Sequence, residues 1–272
     1  MASDLEPVAV GGVAGSGTRV IAHLVRELGF YIGDELNGAL DNLWFGFLLG
    51  RPNWYRANPA EVPVALSAFE KAMRGNPTFD ATERAVVRGA VDGKGPQFEE
   101  PGLDPRATAR RAEIAHSMER SQGPSADAPG WGWKLPDTHL FLGQLAVTFP
   151  GMKYVHVIRE GVDLTNKEKS ERQVRSWGSR FGLEMPADGR PVAASTVLDY
   201  WDAANRQALR LGPTLFGDRF LLLHYESVCS HPAATLATVS SFLGVRPDPT
   251  AVKEFSAFVR PPQHGTAERL EG

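Results

Sequence analysis

Residues 8–30 read VAVGGVAGSGTRVIAHLVRELGF, and this stretch constrains the fold more than any other. Small and β-branched residues lead into a glycine-rich turn, and the following residues place Val20, Ile21, Leu24 and Val25 on one helical face. The pattern predicts a strand over Pro7 to Val13 and a helix over Thr18 to Leu28, a βα unit suited to a parallel sheet. Gly12, Gly15 and Gly17, with Ser16 and Thr18, would turn backbone N–H groups toward an anion at the positive end of that helix. A plain strand-to-helix turn is also glycine-rich, so the loop alone does not decide between the two. The triphosphatase spacing G-x-x-x-x-G-K-[ST] fits Gly12 and Gly17, but Thr18 stands where its lysine should be. An ordinary kinase or ATPase is disfavoured.

Three further apolar runs read as buried strands: WGWKL (Trp131 to Leu135), KYVHVI (Lys153 to Ile158) and RFLLLHY (Arg219 to Tyr225). Each ends near a polar residue. Lys134, Arg159 and Glu226 therefore gather at the sheet edge where open α/β folds bind ligands. The expected fold class is a three-layer α/β sandwich with a central parallel sheet. Residues 34–130 break this rhythm and read as a helical insertion or lid over an acceptor, with helices at Asn37 to Leu49, Pro59 to Met73, Asp80 to Val91 and Pro105 to Arg120. Ser121 to Gly130 is loop-like. Later helices are expected over Leu164 to Trp177, over Thr196 to Leu211, and from Pro232 to a stop at Gly244. A chain of 272 residues fits one such domain.

Formal net charge is −3, with 29 basic and 32 acidic residues interspersed, which argues against a nucleic-acid-binding field and for a small-molecule partner. Cys229 is the only cysteine, so neither an internal disulfide nor a cysteine metal cluster is available. No signal peptide and no membrane-spanning run is read in the sequence, and a reducing cytoplasm is the expected setting.

Taken together, several segments resemble the sulfotransferases that use 3′-phosphoadenosine 5′-phosphosulfate (PAPS). Gly15 to Thr18 (GSGT) is similar to that family's 5′-phosphosulfate loop, and Tyr154 to Leu164 (YVHVIREGVDL) to its 3′-phosphate strand and turn. HYESV followed by FLGV is similar to its closing strand and helix, and Trp133 to Leu142 (WKLPDTHLFL) to the lysine–proline segment of bacterial and tyrosylprotein members. The resemblance covers Val8 to Leu28 and Gly132 to Val245.

It implies in-line transfer of a sulfuryl group from PAPS to an acceptor, leaving adenosine 3′,5′-bisphosphate, with no metal required. It further implies that Gly15, Ser16, Gly17, Thr18 and Arg19 hold the phosphosulfate, that Arg159 clamps the 3′-phosphate, and that Lys134 meets the transferred group. Many members carry lysine or arginine where this chain has Gly15, a place Arg19 would have to fill. Lys167 occupies the family's serine position in the 3′-phosphate site, and Ser170 serves there only if the turn is longer. For the general base, Glu35 lies closest to the family spacing, in a segment that also contains Asp34 and Asp41; His139 is the rival. A carboxylate near a helix start also serves as a cap, and a histidine there also packs into the core. The aromatic residues Trp44, Phe45, Phe47, Trp54 and Tyr55 are core or acceptor wall. Tyr225 and Glu226 are read as organising a strand end. Two competing readings remain: an ATP-dependent small-molecule phosphotransferase, and a nucleotide-binding protein without catalysis.

Overall fold

The computed structural model describes residues 6–92, 105–187 and 190–259. Four parallel strands form the sheet: β1 (Val8–Gly11), β2 (Gly132–Lys134), β3 (Lys153–Ile158) and β4 (Phe220–His224), in the order β2-β1-β3-β4. Val8 pairs with Gly132 on one side and Lys153 on the other, and Ile158 pairs with His224. All four C-terminal ends therefore share one edge, with neighbours of β1 reached in opposite directions. This is the topological switch at which such sheets bind ligands.

Residues alternate between the faces, as strand pleating requires. Val8, Val10, Val155 and Val157 face a cluster with Ile21, Leu24 and Val25 of α1 (Thr18–Glu27), Leu236 and Val239 of α11 (Pro232–Leu243), and Phe255 of α12 (Pro249–Phe258). Ala9, Trp133 and Tyr154 face a second cluster. It takes in α2 (Leu43–Leu49), α3 (Pro52–Ala57), α4 (Val62–Met73), α5 (Ala81–Val91), α6 (Pro105–Glu119), α7 (Leu142–Thr148), α8 (Glu168–Trp177) and α9 (Ala194–Phe216). The short α10 (Tyr225–Ser230) follows β4 directly. Helices on both faces of a parallel sheet make the expected three-layer α/β sandwich. Among the described residues no helix is long and apolar enough to cross a membrane.

The insertion between β1 and β2 shares this second core. Trp44 and Phe45 are fully buried, and Phe45 stacks on Trp133 of β2 with ring centroids 5.2 Å apart and planes at 18°. Phe47, Trp54 and Tyr55 are buried too, so the aromatic stretch is core packing and offers no open apolar wall.

Local chemistry moves two expected helix boundaries. The helix predicted from Asn37 starts only at Leu43, because the Asn37 carboxamide accepts from the Ala39 and Asp41 amides at 2.8 and 3.0 Å and folds the segment into a turn, with Leu40 at φ 61°. Asn42 then caps α2 by accepting from Phe45 N–H at 2.9 Å. Asp80 caps α5 in a reciprocal box with Glu83. The helix predicted from Leu164 starts at Glu168, after a 3₁₀ turn over Gly161–Leu164.

Candidate active site

The glycine-rich loop leaves β1 at Gly11 and enters α1 at Thr18. Gly17 has φ 93°, and the Tyr225 ring lies so close that a β-carbon there would sit 2.0 Å from Tyr225 Cδ2. Only glycine satisfies both demands. Ser16 is buried and its hydroxyl has no hydrogen-bond partner among the described residues. The amides of Gly15 and Gly17 also lack a partner among the described residues. A buried hydroxyl costs free energy unless something pairs with it. An anionic oxygen supplied from outside fits this cradle.

Helix α8 clamps the loop at Ala14. The Ala14 N–H donates to Gln173 Oε1 at 2.7 Å, and the Ser170 hydroxyl donates to the Ala14 carbonyl at 2.8 Å. Gln173 Nε2 donates to Asp137 at 2.6 Å, and Trp177 Nε1 donates to the same carboxylate at 3.0 Å. Burial pushes the Asp137 carboxyl upward, against these two donors. The loop is thus tied to the segment that follows Lys134. Gln173 and Asp137 were not singled out by sequence reasoning. The available signal was spacing, since Gln173 sits three residues after Ser170 on the same face of the helix.

Lys134 ends β2 and is only 3% exposed. Its ammonium donates to the Ala39 carbonyl at 3.1 Å and forms an ion pair with Asp41. Burial lowers its proton affinity, and Asp41 acts in the opposite sense; the charges of Lys169 and Arg19 add to the lowering. The pairing follows from the backbone: Asn42 N–H donates to the Lys134 carbonyl at 2.8 Å, which sets the preceding residue beside the lysine. Asn37 Nδ2 holds the other Asp41 oxygen at 2.8 Å.

Arg159, just beyond β3, is mostly buried. Its Nε and Nη2 donate to Asp163 at 3.0 and 2.7 Å, and its guanidinium lies 4.6 Å from the Tyr225 ring centroid. Trp201 Nε1 donates to its carbonyl at 2.9 Å. A cavity of about 300 Å³ opens beside it, over Ile158, Trp201 and Leu209, and no residue of the glycine-rich loop lines it. Lys167 sits at the start of α8, with burial first and Arg159 second lowering its proton affinity. Arg19 is exposed on the first turn of α1.

The proposed bases fare differently. Glu35 is engaged by Arg110 of α6 at 2.5 Å, in a pair whose arginine is half exposed. Asp41 stands against Lys134. His139 is 1% exposed, its Nδ1–H donates to the Pro136 carbonyl at 2.8 Å, and its buried Nε2 has no partner among the described residues. Burial, helped by His156, pushes its pKa down to about 3. Among the described residues no cluster of three or more His, Cys, Asp or Glu could hold a metal ion.

The sequence profile described as the sulfotransferase family matches residues 7–249. Among solved structures, the chain is similar to sulfotransferase STF9 from Mycobacterium avium, with 14% identity and a TM-score of 0.49, over 93% of this chain and 67% of that one. The sulfotransferase domain of the Synechococcus PCC 7002 olefin synthase gives 17% identity and a TM-score of 0.47, over 97% and 86%. Retinol dehydratase in complex with androsterone and the inactive cofactor PAP gives 12% and 0.37, over 93% and 64%. No curated protein matches the chain.

Proposed function

This chain belongs to the sulfotransferase family, and from that premise we propose that it moves the sulfuryl group of PAPS to a hydroxyl or amine of a small-molecule, lipid or carbohydrate acceptor. One observation carries the choice of donor. The buried, unpartnered Ser16 hydroxyl lies in a loop with unpaired Gly15 and Gly17 amides and no lysine at Thr18. That cradle suits a phosphosulfate held by N–H and O–H groups, with cations supplied from the neighbouring strand ends.

In the proposed reaction the acceptor oxygen or nitrogen attacks sulfur, and the bond from sulfur to the bridging phosphate oxygen breaks. The acceptor proton passes to a carboxylate, and adenosine 3′,5′-bisphosphate departs with the added negative charge. Lys134 meets that charge, so its pairing with Asp41 has to loosen as the donor enters. Arg159 takes the 3′-phosphate, with the Tyr225 ring supporting its plane. Ser170 serves through the loop, because its hydroxyl is committed to Ala14.

Asp41 is the preferred general base. It alone among the four candidates pairs with the lysine assigned to the transferred group, whereas Asp34 accepts from the Ser121 hydroxyl, Glu35 is held by Arg110 and the His139 ring is sealed in the core. The reading is tested by incubating the protein with radiosulfur-labelled PAPS and a panel of phenols, alcohols, amines and oligosaccharides. Labelled product that depends on Lys134 is expected. Tight bisphosphate binding with no transfer across the panel would favour a non-catalytic nucleotide-binding protein, and phosphoryl transfer from magnesium ATP would favour a phosphotransferase.

A further inference from the structure

The glycine-rich loop contains no cation of its own from Gly11 to Thr18, and Arg19 is exposed on the helix beyond it. A doubly charged phosphosulfate seated on this loop would find no counter-charge within the loop itself, Lys134 being assigned to its sulfuryl end. We propose that Lys167 supplies it, reaching across from the start of α8 to the 5′-phosphate end of the donor rather than to the 3′-phosphate. The assignment rests on the PAPS reading above.

The geometry at Gly15 carries the argument. A β-carbon built on Gly15, whose φ is 93°, would lie 3.2 Å from Lys167 Cδ and 3.1 Å from Ser170 Oγ. The lysine's Cδ therefore lies where a side chain on residue 15 would project, which leaves its ammonium one methylene from the loop. The placement is fixed on both sides: Ser170 and Gln173, within the next two turns of α8, hold the carbonyl and amide of Ala14. Loop and lysine thus form one unit.

Charge availability points the same way. Arg159 already donates twice to Asp163, while the Lys167 ammonium makes no hydrogen bond or ion pair among the described residues. Partial burial first, and repulsion from Arg159 second, weaken its hold on its proton against the attraction of Asp163 and Glu226, and a bound phosphate would add to that attraction. A lysine serves well here, since it acts as a compact point charge needing no bidentate geometry.

Three ligands separate the two phosphate sites: adenosine 5′-monophosphate, adenosine 3′-monophosphate and adenosine 3′,5′-bisphosphate, titrated calorimetrically into wild type, Lys167→Met and Lys167→Arg. In Lys167→Met, affinity for the 5′-monophosphate and the bisphosphate should fall about tenfold or more, while the 3′-monophosphate changes by less than about twofold. Lys167→Arg should restore most of the loss. Loss confined to ligands with a 3′-phosphate, or no change for any ligand, would overturn the assignment while leaving the parent reading intact. A wild-type protein that binds none of the three would defeat both. Unfolding curves of the variants that superimpose on wild type exclude loss of fold as the cause.

Discussion

Asp41 closes over Lys134, pairing the carboxylate of the insertion's first turn with the buried lysine that ends β2. The insertion thereby places its acid at the strand end where the transferred group is proposed to sit. Asp41→Asn should lower kcat by about 10² or more, the usual scale for a general base, with bisphosphate affinity retained. Glu35→Gln, which loses only a partly exposed ion pair with Arg110, should stay within about threefold of wild type. Initial rates at saturating PAPS decide the matter. A crippled Glu35→Gln enzyme beside an active Asp41→Asn enzyme would return the base to Glu35.

The two strand-end cations should separate in their kinetics. Arg159→Ala is expected to weaken bisphosphate binding by about 2 kcal/mol, as for loss of a charge-assisted phosphate contact. Lys134→Met should reduce kcat by more than it weakens bisphosphate binding, because its proposed partner is charge that develops in the transition state. Direct titration alongside steady-state rates checks both. Exchanged phenotypes would show that the two roles are reversed.

Gln173 acts at a distance from any ligand. Gln173→Leu removes the acceptor of the buried Ala14 amide and one of the donors to Asp137, so stability should drop by about 1–3 kcal/mol. The loop would lose one of the two contacts that tie Ala14 to α8, and bisphosphate affinity should fall with it. Gln173→Glu keeps an acceptor for Ala14 but sets a second carboxylate against Asp137. Chemical denaturation and calorimetry on both variants check this, and unchanged stability in Gln173→Leu would contradict the clamp.

Much of this was legible in the sequence, for identifiable reasons. The four strands are short apolar runs bounded by polar or glycine residues, and burial on both faces of a parallel sheet writes that pattern plainly. β3 occupies the whole of KYVHVI. The loop was legible because Gly17 has to pass under the Tyr225 ring. The pairing of Asp41 with Lys134 was not legible, since it depends on an Asn37 turn and on the Asn42 amide reaching the Lys134 carbonyl, neither of which has a periodic signature. His139 was read for its chemistry as a base, yet the segment around it folds as a 3₁₀ turn that points the ring into the core. The aromatic run at Trp44 fitted a wall or a core equally well; Trp133 on the sheet below decided for the core.

Two buried histidines make stability depend on acid. Burial pushes His139 to about 3 and His156 to about 4, the latter against the Asn205 carbonyl that accepts from its Nε2–H at 3.0 Å, while the Tyr154 hydroxyl lies 2.9 Å from its Nδ1. In the unfolded chain both take up protons near pH 6.5, so the unfolded state binds more protons throughout the window from about 6.5 down to about 4. Stability should therefore fall as pH drops through that window, each ring approaching about 1.4 kcal/mol per pH unit. His139→Asn should flatten the slope between pH 6.5 and 4, measured by urea unfolding. An unchanged slope would mean the ring is not held neutral in the fold.

The central claim is that the glycine-rich loop and the strand-end cations form a site for a 3′-phosphorylated adenine nucleotide. Calorimetric titration of adenosine 3′,5′-bisphosphate against ATP with magnesium measures this directly. The account predicts that the bisphosphate binds at least about tenfold more tightly. Equal or tighter binding of magnesium ATP, or no detectable binding of the bisphosphate, would contradict it.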